Sequence, residues 1–282
     1  MVNWQVWQQW LHVQHGYVPV LATELEFYLL GAEDIAPETV QVQCCDALTL
    51  LPVAEVSAES GPGQYEVALL PVASFGEAVQ NLVQLKQTLR QWAEDQNWQV
   101  TFAAKPKPEA PGSGLHVHMH LNDVHGNSVY YKQGAAMSEA LRWSLGGLLM
   151  SLPAALYHVA PDDASYARFV AGGNAPLTAS WGMNNRTVAL RLPARAVHNR
   201  PIECRVAGAD APEEAALGIV LAGAAMGLDG KIEPPEPIYG DAALPMYRAP
   251  ALPHTRQEAA QRWKGSALQS YLCSRMHGAA TV

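Results

Sequence analysis

The stretch that decides the fold is L-H-V-H-M-H-L at residues 115–121, where apolar and imidazole side chains alternate without a break. Successive side chains of a β-strand point to opposite faces of its sheet, so the three histidines share one face and the apolar side chains share the other. The alternation therefore predicts a strand with one face in the core and the other face available for polar chemistry.

The same two-residue period recurs in two other segments. T-E-L-E-F-Y places Glu24 and Glu26 on one face of a strand, and I-E-C-R-V does the same for Glu203 and Arg205. An ordinary solvent-facing sheet also alternates in this way. Such a face usually mixes Lys, Thr, Ser and Gln, however, whereas these faces hold almost only Glu, His and Arg.

Convergence of these faces would bring several carboxylates together, and carboxylates are costly to desolvate without a counter-charge. A divalent cation supplies that charge. Carboxylate oxygens favour Mg²⁺ or Mn²⁺, and an imidazole among them is tolerated better by Mn²⁺.

The remaining pattern predicts a single α+β domain over residues 1–282, because amphipathic helices are interspersed with short strands rather than in strict βαβ order. Helices are predicted at 79–92, 137–148 and 217–228, and strands at 24–30, 64–70, 100–104, 115–121, 187–192 and 202–206. Within the domain we expect a leading helix and turn at 1–22, a Pro-rich surface excursion at 234–253 and a tail at 273–282.

Composition excludes several classes of function. The 282 residues include 18 Lys and Arg against 26 Asp and Glu, a net charge of −8 without a basic stripe, so nucleic acid is not an expected partner. No signal peptide and no long apolar run is visible, which argues against membrane insertion. The four cysteines form no C-x-x-C pair, and a reducing cytoplasm is the expected location.

Five motifs in order resemble the catalytic domain of the glutamine synthetase family. They are T-E-L-E-F-Y at 23–28, E-S-G-P-G-Q-Y-E at 59–66, K-P…P-G-S-G-L-H-V-H at 105–118, N-A-P-L-T-A-S-W-G-M-N-N-R-T-V-A-L-R at 174–191 and I-E-C-R-V-A-G-A-D-A at 202–211. The resemblance implies a curved antiparallel sheet with helices packed on its outer face. The W-G-x-x-N-R-T and V-A-G-A-D versions are similar to the branch that joins glutamate to amines or polyamines.

The resemblance also implies a ligand set and a reaction. Two Mg²⁺ or Mn²⁺ ions are expected, the first held by Glu26, Glu59 and Glu66 and the second by Glu24, His116 and Glu203. The implied chemistry uses ATP to activate the γ-carboxylate of glutamate as an acyl phosphate, which an amine then attacks.

Further roles carry over from the same motifs. Arg168 and Arg205 match arginines that grip the substrate and the transferring group, and Arg186 and Arg191 match phosphate-facing arginines. The remaining implied positions are His118 on the nucleotide side, and Gly112 and Gly114 in a loop that would bring backbone close to the substrate amino acid.

The sequence departs from the family pattern in places that bear on function. We expect the N-terminal β-grasp domain of the family to be absent, and a homo-oligomer or a hetero-oligomer with a chain that supplies it. Asn174 stands where ammonia-specific members carry a glutamate, and a neutral amide cannot take a proton from ammonium. His120 has no matched role and is expected to be a satisfied strand histidine.

Three hypotheses remain open at this stage. The first is an ATP-dependent glutamate–amine ligase. The second is a non-catalytic or partner-dependent paralogue that binds metal, nucleotide or an amino acid. The third is an unrelated metal hydrolase built on the H-x-H-x-H strand.

Overall fold

The structure, a computed structural model, describes residues 2–32, 34–134, 137–194 and 200–276. Its helices are α1 (Val6–His15), α2 (Pro37–Ala47), α3 (Phe75–Asp95), α4 (Glu139–Val159), α5 (Glu213–Gly230), α6 (Arg256–Trp263) and α7 (Ala267–Met276). Its strands are β1 (Val18–Leu30), β2 (Val53–Ala58), β3 (Gln64–Leu69), β4 (Gln99–Thr101), β5 (Leu115–Asn122), β6 (Trp181–Met183), β7 (Leu190–Leu192) and β8 (Ile202–Cys204).

The strands form one sheet in the order β2-β3-β1-β5-β8-β7-β6, and β4 pairs with the far end of β1. All pairings are antiparallel except that of β6 with β7, which is parallel. The prediction of an α+β fold with a largely antiparallel sheet is confirmed, and the parallel pair makes the sheet mixed. The chain between β6 and β7 loops back to its original direction, and Asn184 enters this loop with a left-handed backbone (φ 49°).

The long helices form where caps and apolar stripes coincide. Ser74 begins α3 by accepting a hydrogen bond from the Glu77 amide (3.3 Å), and Ser138 begins α4 by accepting one from the Leu141 amide (3.1 Å). α4 and α5 approach closely because glycines line their contact. A Cβ at Gly147 would lie 2.3 Å from the Gly223 carbonyl oxygen, so only glycine fits there.

One hydrophobic core runs from Trp4 to Leu272 and takes in the apolar face of the sheet. The apolar positions of β1 and β5, such as Leu25 and Val117, are fully buried in it, and α1, α3 and α5 contact these two strands. The polar face of the same strands is thereby left for the site.

Several expected boundaries are corrected. The first strand starts at Val18, so the leading segment 1–22 is not only helix and turn. The segments 100–104, 187–192 and 202–206 form strands only at 99–101, 190–192 and 202–204.

The C-terminal part also differs from expectation. The Pro-rich segment 234–253 is not wholly on the surface, because Ile238 and Ala242 pack with Val188 in a small second cluster. Residues 273–276 of the expected tail belong to α7, and 277–282 lie outside the described residues. None of the helices described is long and apolar enough to cross a membrane.

Candidate active site

Strand register brings the predicted ligands onto one face of the sheet. Glu26 on β1 lies opposite Glu66 on β3, and Glu24 on β1 lies opposite His116 on β5. Directly opposed residues point to the same face, so these four side chains form a row across three strands.

The row continues on the next two strands. His118 on β5 lies opposite Glu203 on β8, and Glu203 lies opposite Arg191 on β7. These pairings place carboxylates, imidazoles and a guanidinium within reach of each other, although the residues are distant in sequence.

The row opens into a cavity of about 290 Å³. Its lining contains every predicted metal ligand and three of the predicted arginines: Glu24, Glu26, Glu59, Glu66, His116 and Glu203, with Arg186, Arg191 and Arg205, together with Ser60 and Asn174. The exposed Asn174 side chain donates to the Ser60 hydroxyl (3.3 Å) at the rim.

One set of ligand atoms consists only of carboxylates. Glu26, Glu59 and Glu66, the carboxylate group, have oxygens within 4.8 Å of one another. Burial, together with the neighbouring carboxylates, Glu24 foremost among them, raises the pKa of Glu66 to about 9. Burial also raises the pKa of Glu59, as does Glu26. The protein supplies too little positive charge here, and a hard divalent cation would provide it.

A second set is already neutralised by the protein. Glu24, His118 and Glu203, the mixed group, also have ligand atoms within 4.8 Å of one another. Burial alone would raise the pKa of Glu24 and lower that of His118. Hydrogen bonds from His116 and His118 bring the pKa of Glu24 below its ordinary value, and the Glu24 contact at 3.0 Å raises the pKa of His118.

Glu203 is held by two guanidinium groups. Its side chain is fully buried, and its two oxygens accept hydrogen bonds from Arg191 (2.8 Å) and from Arg205. Burial would raise the pKa of Glu203, but the charges of His116 and Arg205 bring it below its ordinary value.

The predicted set for the first ion coincides with the carboxylate group. For the second ion the arrangement differs from the expected Glu24, His116 and Glu203. His116 groups instead with Glu24 and Glu66, its Nδ1 lying 3.3 Å from Glu24 Oε2. His118, expected on the nucleotide side, joins the mixed group.

The donor chemistry of both groups fits Mg²⁺ or Mn²⁺, since carboxylates dominate and imidazole is the minority ligand. His118 also faces a neighbouring cavity of about 350 Å³, which Glu24, His120 and Pro201 help to line. Burial lowers the pKa of His120. Among the described residues, no candidate ligand group contains His120, so the H-x-H-x-H strand does not act as a three-imidazole site in this arrangement.

Three predicted residues lie beneath the cavity rather than in its lining. Arg168 is buried, donates to the Val206 carbonyl (2.8 Å), and has its pKa lowered by burial to about 10. A Cβ at Gly114 would lie 2.8 Å from His116 Nε2 and 3.1 Å from Arg168, so glycine lets these side chains meet. Gly112 is tight against the Ala104 carbonyl and Arg168 in the same way.

Sequence reasoning missed Gln64 and Ser60. Gln64 is almost fully buried and donates to Glu26, while Ser60 lies in the cavity lining beside Glu59. Both stand inside the quoted E-S-G-P-G-Q-Y-E motif, so the signal was present, but neither residue type marks a metal site by itself.

Carboxylates, imidazoles and guanidinium groups in one cavity are the donor set of a metal-dependent enzyme that handles phosphate or carboxylate groups. The sequence matches the family model described as glutamine synthetase, catalytic domain, over residues 41–277. The chain therefore belongs to the glutamine synthetase family, within its catalytic domain.

Curated relatives include the gamma-glutamylputrescine synthetase PuuA of Escherichia coli (strain K12). It is 34% identical over 268 residues, covering 84% of this chain and 56% of the relative. The gamma-glutamylethanolamide synthetase GlnA4 of Streptomyces coelicolor is 32% identical, covering 90% of this chain and 54% of the relative. The chain thus spans about half the length of these two relatives.

A solved structure, GmaS in complex with ADP, superposes with a TM-score of 0.82 at 19% identity. The match covers 95% of this chain and 69% of that one. At this identity the likeness shows the fold alone.

Proposed function

We propose that this chain is the catalytic domain of an ATP- and divalent-metal-dependent ligase that joins the γ-carboxylate of glutamate to an amine through an acyl phosphate. The observation that supports the proposal is that all six residues predicted as metal ligands, and three of the predicted arginines, line one cavity. Two relatives are a gamma-glutamylputrescine synthetase and a gamma-glutamylethanolamide synthetase, which supports an amine as acceptor.

The acidic residues of the cavity are proposed to bind metal ions, and the arginines are proposed to bind phosphate. The carboxylate group would hold one ion and the mixed group, with His116, would contribute to a second. Bound Mg²⁺ or Mn²⁺ would neutralise phosphate oxygens. Arg186, exposed at the cavity, and Arg191 would contact the nucleotide phosphates, since a guanidinium forks onto such oxygens.

The residues at the cavity rim are proposed to select which amine is accepted. Asn174 and Ser60 present neutral hydrogen-bonding groups beside Glu59, which fits an amine held by its polar atoms. Arg168, buried behind Gly114, would stiffen the loop that faces the amino acid.

The test is phosphate release from ATP with Mg²⁺ or Mn²⁺, glutamate and a panel of amines including putrescine, ethanolamine and ammonium. Wild type should release phosphate only when an amine is present, and Glu66→Ala and Glu203→Ala should lose this activity. Glu55→Ala, an exposed carboxylate on the neighbouring β2, is the matched control and should retain it.

Nucleotide or metal binding without turnover for any amine would contradict the ligase proposal and favour the non-catalytic paralogue. Tight zinc binding through three imidazoles would favour a hydrolase instead.

A further inference from the structure

Gln64, the first residue of β3, is buried beside the carboxylate group with 2% of its surface exposed. Its Nε2 donates to Glu26 Oε2 (3.3 Å) and to the Gly112 carbonyl (3.1 Å). Its Oε1 accepts from the Gly61 amide (3.1 Å), and the oxygen of the Tyr28 hydroxyl lies 3.3 Å from it. The two bonds that Nε2 donates and the one that Oε1 accepts from Gly61 fix which end of the Gln64 amide faces Glu26.

The same oxygen of Glu26 receives a second hydrogen bond. The Gly114 amide donates to Oε2 at 2.7 Å, whereas Oε1 lies 3.8 Å from His116 Nε2 on the cavity side. Both backbone and side-chain donors therefore hold one oxygen of the carboxylate and leave the other for an ion.

The neighbours of Gln64 belong to the loops that shape the site. Gly61 lies in the loop that carries Glu59, and Gly112 lies in the loop before β5. Tyr28 lies between the same two loops, because its hydroxyl donates to the Pro111 carbonyl (2.8 Å) and contacts Gln64. Gln64 is the member of this network that also touches a metal-ligand side chain.

We propose that Gln64 is a positioning residue that selects Glu26 Oε1 as the metal-facing oxygen and holds Glu26 in the geometry needed by the carboxylate group. This inference rests on the metal site of the proposed function. Hydrogen-bond partners behind a ligand tune metal affinity in this way, and their loss typically costs about 10- to 100-fold.

Mn²⁺ titration followed by the electron paramagnetic resonance signal of the free ion tests the inference without turnover. Gln64→Met keeps the length of the side chain and removes its hydrogen bonds, so Mn²⁺ affinity should fall about tenfold. Tyr28→Phe is the matched control. It loosens the same two loops but leaves the Gln64–Glu26 bond, and should keep affinity within about twofold.

A double-mutant cycle separates positioning from a general structural role. If Gln64 acts through Glu26, adding Gln64→Met to Glu26→Gln should cause no further loss of Mn²⁺ affinity. Additive losses, or an equal loss in Tyr28→Phe, would overturn the inference. Circular dichroism checks that each variant is folded, and Gln64→Asn carries the same cycle if Gln64→Met does not fold.

The two proposals fail differently. Wild-type protein without Mn²⁺ binding would remove the metal site and the inference with it. Wild-type binding that Gln64→Met leaves unchanged would overturn the role of Gln64 and leave the ligase proposal standing.

Discussion

The two ligand groups of the cavity have opposite charge balances. In the carboxylate group, Glu26, Glu59 and Glu66 lie together, and burial and mutual repulsion raise the pKa of Glu66 to about 9. In the mixed group, Glu24 contacts His118, and Glu203 contacts Arg191 and Arg205.

This difference divides one sheet face into a part without protein counter-charges and a part with them. The carboxylate group lacks a counter-charge from the protein and is costly for the folded state, whereas the mixed group carries its own counter-charges, so that removing one of its partners should be costly even without metal. Metal dependence should therefore be concentrated on the carboxylate side of the cavity.

The largest effect is expected from Glu203. Glu203→Ala leaves Arg191 and Arg205 without their acceptor in a buried place, and should lower the free energy of unfolding by about 3 kcal/mol in metal-free protein. Urea denaturation with a chelator measures this. In the exposed control Glu55→Ala, the free energy of unfolding should stay within about 0.5 kcal/mol of the wild-type value. Equal losses in the two variants would show that the mixed group does not stabilise the fold.

The second-largest effect is expected in the pH dependence of the stability of the metal-free protein. The folded pKa of Glu66, about 9, lies above its ordinary value of 4.5, so the folded protein keeps a proton that the unfolded chain releases. Stability from this group is complete below pH 4.5 and is lost as pH rises towards 9, by about 1 kcal/mol per pH unit.

Thermal unfolding with a chelator between pH 5.5 and 8.5, compared for wild type and Glu66→Gln, isolates this contribution because other groups titrate in both proteins. The unfolding temperature of Glu66→Gln should fall less steeply with rising pH than that of wild type. An equal fall in both proteins would contradict the charge balance inferred for the carboxylate group.

Weakening a cation of the mixed group should help metal binding. Arg191→Gln frees one oxygen of Glu203 and removes a positive charge, so Mn²⁺ affinity should rise about fivefold, or about 1 kcal/mol. Phosphate release should fall in the same variant, since Arg191 is proposed to contact the nucleotide. Arg262→Gln, an exposed arginine on α6, should change neither quantity.

The smallest effect is expected at the rim. Asn174→Glu places a further carboxylate beside the carboxylate group, and at this exposed position it should raise kcat/KM for ammonium relative to larger amines by about threefold. Steady-state rates with each amine measure the ratio. An unchanged ratio would show that Asn174 does not set acceptor preference, and Asn174→Gln serves as the uncharged control.

The polar face of the site could be predicted because its signal is strictly local. Alternation along β1 and β5 requires only the two-residue period of a strand, and the observed register confirms that these faces converge. The neighbours that hold the face could not be predicted. The partners of Gln64 and the Val206 acceptor of Arg168 depend on contacts between residues distant in sequence, which no local pattern reveals.

The same distinction explains the missed elements. α2 buries only Val40 and Cys44, too few for a recognisable apolar stripe, and α6 buries only Ala259. The parallel pairing of β6 with β7 also escaped prediction, because strands of three residues carry no periodic signal.

The order of the strands has a consequence for folding kinetics. Ligands come from β3, β1, β5 and β8, and β8 joins β5 only after the chain has passed through α4 and two further strands. Such non-local pairings form late and make folding slow. A metal site whose candidate ligands lie on these strands would therefore form only once the central sheet is assembled. We expect saturating Mn²⁺ to slow unfolding strongly while leaving the refolding rate almost unchanged, because the ion would stabilise the folded state and not the folding transition state.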